Sequence, residues 1–154
     1  MNILVVDDEA DTRRLLRDLL MRASHSVTLA SDATEATAHL GLMKYDLILL
    51  DFMMPGVDGY QFSQYLATHW RTFDVPVLVV SCKSDSASTS WAKIQGCVGY
   101  IVKPFSPAEL LDKVAEVRGL RTYPGRPREP RRVENRASPG TRRRPNLDEV
   151  VDDE

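Results

Sequence analysis

The sequence predicts a doubly wound α/β fold, in which helices cover both faces of a parallel sheet, and three observations carry that expectation. Four consecutive aliphatic residues, Leu47, Ile48, Leu49 and Leu50, lie between carboxylates and read as a strand buried on both faces. Amphipathic stretches of helical period alternate with such runs along the chain. Each apolar run also stops on a polar group: Ile3 to Val6 on Asp7 and Asp8, Leu47 to Leu50 on Asp51, Val77 to Val80 on Ser81, and Ile101 and Val102 on Lys103 and Pro104. Parallel sheets bind ligands just beyond the carboxyl ends of their strands, so these polar groups are placed for chemistry.

Taken in order, the first strand is Ile3 to Val6. The first helix, Asp11 to Ala23, sets Leu15, Leu16, Leu19 and Leu20 at helical spacing among Arg13, Arg14, Arg17 and Arg22. A short strand follows at Val27 to Ala30, then a helix at Ala33 to Leu42, the strand Leu47 to Leu50 and a helix at Gly59 to His69. The strand Val77 to Val80 leads to a hydroxyl-rich helix, Ser84 to Gln95, which Gly96 suits as a left-handed stop. After the strand Ile101 to Val102, a last helix is expected from Pro107 to Arg118. Pro107 fits a first helical position behind Ser106, and Gly119 fits the stop.

Neighbouring strand ends would gather Asp7, Asp8 and Asp51 at one sheet edge. Three carboxylates there repel, and must take up a proton or bind a cation. An all-oxygen donor set favours Mg2+, which uses few carboxylates, keeps several waters and leaves positions for phosphate oxygens. The Lys103 ammonium and Ser81 hydroxyl would neutralise and orient a phosphoryl group in flight, with Asp51 as the nucleophile. Any one of these acids alone is more often a helix cap or loop solvator. The five residues together are not explained that way.

These residues resemble the CheY-like receiver domains of two-component response regulators, over about residues 1–118. Asp7 and Asp8, Asp51, Ser81 and the Lys103-Pro104-Phe105 triplet stand at intervals of 43, 30 and 22 residues from Asp8 onward, similar to the family's own spacing. The segment Met54-Pro55-Gly56-Val57-Asp58-Gly59 and Tyr100 three residues before the lysine are similar too. The resemblance implies a flavodoxin-like (βα)5 fold with five strands in the order 2-1-3-4-5. It implies that a sensor histidine kinase or phosphotransfer protein donates a phosphoryl group to Asp51. Mg2+ would be bound by Asp8, Asp51 and the Met53 carbonyl, with Asp7 acting through water and Ser81 and Lys103 gripping the phosphoryl group. By the same resemblance the Lys103-Pro104 bond is cis, and Tyr100 is a switch ring that follows Ser81, its alternative being a half-buried strand aromatic. The output partner would meet the fourth helix, fifth strand and fifth helix, and a phosphorylation-dependent homodimer is one form that output could take. Arg13, Arg14 and Arg17 on the first helix are candidates for kinase recognition, although a solvated helix face explains them equally well.

A chain of 154 residues with 43% apolar content can build one good core, expected over residues 1–118. No apolar run approaches the ~18 residues of a membrane span, and the start carries no basic leader, so a cytoplasmic setting is expected. Cys82 and Cys97 form no metal-like pattern, and two buried or partly buried thiols are expected rather than a disulfide. His25, His39 and His69 are scattered without metal-site spacing. Residues 119–154 read as a disordered tail: prolines among nine arginines between Arg121 and Arg144, net +7, then an acidic end of −5. No helix-turn-helix pattern occurs there, so no DNA-binding domain of its own is expected. A hydrolase of the haloacid-dehalogenase type needs a second acid where Met53 stands, which argues against substrate turnover. A pseudo-receiver serving as a constitutive interaction module is the alternative, and it leaves the intact acid, hydroxyl and lysine set unexplained. Met53 and Lys83 flank the expected path of attacking water, where their bulk should slow hydrolysis of the acyl phosphate.

Overall fold

The computed structural model describes residues 1–54 and 59–117. The expected Pro55-to-Asp58 part of the turn, Arg118, the Gly119 stop and the tail lie outside the described residues. Five strands, β1 (Asn2–Val6), β2 (Ser26–Ala30), β3 (Leu47–Leu50), β4 (Val77–Ser81) and β5 (Gly99–Val102), pair in parallel in the order β2-β1-β3-β4-β5. They alternate with α1 (Ala10–Arg22), α2 (Ala33–Leu42), α3 (Gly59–Thr68), α4 (Ser86–Ile94) and α5 (Pro107–Val117).

The two-residue period of a strand sorts its side chains to opposite faces, and the core divides accordingly. Leu4, Val6, Ile48, Leu50, Val77 and Val79 face one way and meet Ala33 and Ala36 of α2, Phe62 and Leu66 of α3 and Ala92 of α4. Ile3, Val5, Leu47, Leu49, Leu78, Val80 and Ile101 face the other way, against Leu16 and Leu20 of α1 and Leu110, Val114 and Val117 of α5. All four residues of β3 are buried, as a central strand covered on both faces requires.

Several boundaries differ from the sequence reading for local reasons. Helix α4 begins at Ser86 rather than Ser84, because the Asp85 carboxylate caps it by accepting the Ser88 N–H at 2.8 Å. Ser81 is the last residue of β4 rather than the first beyond it, and β5 starts two residues early, which puts Tyr100 inside a strand. The Ser106 hydroxyl accepts the Glu109 N–H at 3.1 Å and so caps α5 ahead of Pro107. Gly96 has φ +77°, a left-handed conformation that most side chains resist. Both cysteines are free; Cys97 is half-buried, but Cys82 is exposed, a correction that follows from its place on the loop beyond β4 rather than on the strand.

Candidate functional site

The sheet register brings the polar strand ends level. Val6 is paired with Leu50, Leu50 with Val79, and Ser81 with Val102, so Asp7, Asp51, Ser81 and Lys103 follow one another across the carboxyl edge. The ladder runs one residue past the strands: the Asp51 N–H donates to the Val6 carbonyl at 3.0 Å, Asp7 to Ala30 at 3.1 Å and Lys103 to Ser81 at 2.9 Å. The site backbone is thereby as fixed as the sheet itself.

Asp7, Asp8 and Asp51 each offer a carboxylate oxygen within 4.8 Å of the others. Asp7 and Asp51 are buried and Asp8 is exposed, so the cluster opens to solvent on the Asp8 side. The Lys103 ammonium reaches across the edge to Asp7 Oδ2 at 2.8 Å and Asp51 Oδ2 at 3.2 Å. Burial alone would lower the lysine, but its Asp7 hydrogen bond and the charges of Asp7 and Asp51 hold it above its ordinary value. Burial raises the Asp7 carboxyl above its ordinary 3.8 in spite of that same hydrogen bond. The remaining oxygens are held by backbone: Asp51 Oδ1 accepts the Met53 N–H and Asp7 Oδ1 the Glu9 N–H, both at 2.9 Å. The peptide bond from Lys103 to Pro104 is cis.

Ser81 is fully buried, and its hydroxyl accepts the Lys83 N–H at 3.3 Å. The half-buried Tyr100 donates its hydroxyl to the Lys83 carbonyl at 2.5 Å and sets its ring edge-on to Phe52 at 5.9 Å. The Met53 side chain is exposed, and the Lys83 ammonium lies 5.7 Å over the Tyr60 ring.

Some contributors escaped the sequence reading. Arg13, weighed as a kinase contact or as part of a solvated helix face, donates to the Asp7 carbonyl at 2.6 Å and braces that acid from α1. Gly59 packs onto the Asp51-Phe52 peptide: a Cβ there would stand 2.3 Å from Phe52 Cα and 2.4 Å from the Asp51 carbonyl oxygen. The signal for Gly59 was its place in the turn segment after Asp51; for Arg13 there was none, since helical period assigns a side only.

Residues 3–115 match the response regulator receiver domain family. The chain belongs to that family. As a receiver it is 42% identical over 112 residues to the transcriptional regulatory protein ResD of Bacillus subtilis, covering 73% of this chain and 45% of that protein. It is 36% identical over 123 residues to the phosphate regulon transcriptional regulatory protein PhoB of Pseudomonas aeruginosa, covering 80% and 53%. The chain thus spans about half the length of these relatives. Among solved structures, the receiver superposes on the chemotaxis protein CheY4 of Vibrio cholerae with a TM-score of 0.72 at 28% identity, covering 75% of this chain and 97% of that one. A response regulator from Chloroflexus aurantiacus gives 0.73 at 27% identity, covering 77% and 98%. The fold is the CheY-like one implied by the residues of the site, and receivers of this family are signalling modules of two-component systems. Among the described residues no helix is long and apolar enough to cross a membrane.

Proposed function

We propose that this receiver works in the cytoplasm, that it accepts a phosphoryl group on Asp51 from a sensor histidine kinase or phosphotransfer protein, and that the phosphorylated state controls a partner. The observation that carries the reading is the Lys103 ammonium bridging Asp7 and Asp51 beside an exposed Asp8. A purely structural ion pair needs one carboxylate, whereas three sharing an edge with one lysine leave negative charge that packing does not require. The donor set is hard oxygen throughout and open on one side, which fits Mg2+. Asp8, Asp51 and the Met53 carbonyl would hold the ion, Asp7 acting through water, and the ion would neutralise charge on phosphoryl oxygens.

The protein's own groups account for the remainder. An Asp51 oxygen forms the new P–O bond as the donor's P–N bond breaks and its electron pair leaves on the imidazole. Lys103 offers its ammonium to the phosphoryl oxygens as the Asp51 charge is consumed. Ser81 exchanges its contact with the Lys83 N–H for one to the phosphoryl group, and Tyr100, tied to the next carbonyl, follows as the switch. Output would pass through α4, β5 and α5 to a partner.

Intact-mass measurement after exposure to acetyl phosphate and Mg2+ tests the reading. One alkali-labile phosphoryl adduct in the wild type, absent from Asp51→Asn, is expected. An unmodified wild-type chain would leave the constitutive interaction module in its place.

A further inference from the structure

Beyond Ser81 and Tyr100, the acceptor strand touches α4 by a second route, through Tyr60 on α3. Gly59 leaves no slack between the Asp51-Phe52 peptide and the start of α3: its N–H donates to the Phe52 carbonyl at 3.3 Å, and even a methyl group would collide there. The next residue, Tyr60, lays its ring on Phe52 with centroids 4.7 Å apart. From that ring, both ends of the residue reach α4. The Tyr60 hydroxyl shares a 2.6 Å hydrogen bond with the fully buried Ser88 hydroxyl. The Tyr60 carbonyl accepts Trp91 Nε1 at 3.3 Å and the Ser63 hydroxyl at 2.7 Å, while Trp91 Nε1 also reaches Ser63 Oγ at 3.1 Å. The Trp91 ring meets Tyr60 edge-on at 6.1 Å. Ser88 and Trp91 are three residues apart and share a helix face. Ser88 is also the residue whose N–H is taken by the Asp85 cap, so the Tyr60 contact lies at the point that fixes where α4 begins.

We propose that Tyr60 is a positioning residue that couples the state of Asp51 to α4, alongside the Ser81 and Tyr100 pair, with which it shares Phe52 and the Lys83 loop. A rearrangement of the Asp51-Phe52 peptide must displace Gly59 or be refused, because tightly packed interiors pass strain on rather than absorb it. Tyr60 moves with Gly59 and draws on Ser88 and Trp91 together. The Lys83 ammonium over the same ring ties the loop after Ser81 into this path. The short hydrogen bond to a fully buried hydroxyl gives the coupling a preferred geometry.

The inference rests on the phosphoacceptor reading, and one experiment separates the two. In the full chain with Trp70→Phe, Trp91 becomes the sole tryptophan. Its emission is followed as fluoroberyllate, an acyl-phosphate mimic, is added with Mg2+, and the same proteins are labelled with acetyl phosphate. Trp70→Phe is expected to label at Asp51 and to change its Trp91 emission. Adding Tyr60→Phe, or separately Ser88→Ala, should leave labelling intact and remove most of the emission change, since each deletes a single hydroxyl. An undiminished emission change in both variants would overturn the coupling, as would a labelled parent with a silent Trp91. A parent that fails to label would remove the phosphoacceptor reading and this inference with it.

Discussion

Gly59→Ala is the sharpest test of how Asp51 is held. The added methyl would sit 2.3 Å from Phe52 Cα, 2.4 Å from the Asp51 carbonyl oxygen and 2.9 Å from the Phe52 carbonyl carbon, short of ordinary carbon contact by about 1 Å. All three neighbours are backbone, and Asp51 and Phe52 are 4% and 1% exposed, so no flexible side chain can yield. Overpacking of this kind costs about 1–3 kcal/mol, against a gain of about 0.5–1 kcal/mol from replacing glycine by alanine in a helix. With the cost at the upper end of its range, the net loss is about 2 kcal/mol, or about 10 °C in Tm for a domain near 100 residues. Gly41→Ala supplies the contrast: Gly41 lies in α2 and a Cβ there meets nothing within 4 Å, so it should raise Tm by a few degrees. Thermal unfolding by circular dichroism, with acetyl phosphate labelling of Asp51, reads both. A Gly59→Ala protein as stable and as readily labelled as wild type would refute the claim that α3 is seated rigidly on the Asp51-Phe52 peptide.

Other outcomes follow from particular groups. Met53→Asn combined with Lys83→Glu should speed loss of the phosphoryl group from Asp51 by about tenfold or more, by opening the approach and giving water a polar guide; an unchanged decay of the labelled mass would defeat that reasoning. The Tyr45 hydroxyl is buried without a hydrogen-bond partner among the described residues, so Tyr45→Phe should leave stability unchanged or raise it by about 1 kcal/mol; a clear loss in a urea titration would mean that the hydroxyl has a partner. Burial pushes the Cys97 thiol up to about 12, which leaves almost no thiolate at pH 8. Iodoacetamide should therefore modify the exposed Cys82 of the native protein and reach Cys97 only after unfolding, as peptide mapping would show.

The strand ends were legible because burial and chemistry conflict there. A charge directly after four aliphatic residues has few structural uses, and the spacing of Asp8, Asp51, Ser81 and Lys103 is a one-dimensional quantity that the chain carries unaided. Helix spans were legible from period and punctuation: α2 runs from Ala33 to Leu42 as read, and Gly96 ends α4 as its conformational freedom suggests. The first turn of α4 was not, because in a run of serines any of several residues could cap, and only the folded backbone shows that Asp85 does. Arg13 on Asp7, Gly59 against Asp51 and Phe52, and Tyr60 between Phe52 and Ser88 depend on distances between separate elements. Periodicity assigns a residue to a face but says nothing about what that face meets. The sequence by itself determined the alternating fold and the polar groups that end its strands, since both arise from local patterning and from groups too polar to bury without purpose. Tertiary structure alone decided how those groups are braced and what the Asp51-Phe52 peptide packs against, because close packing is a property of elements brought together and is written in no single one of them.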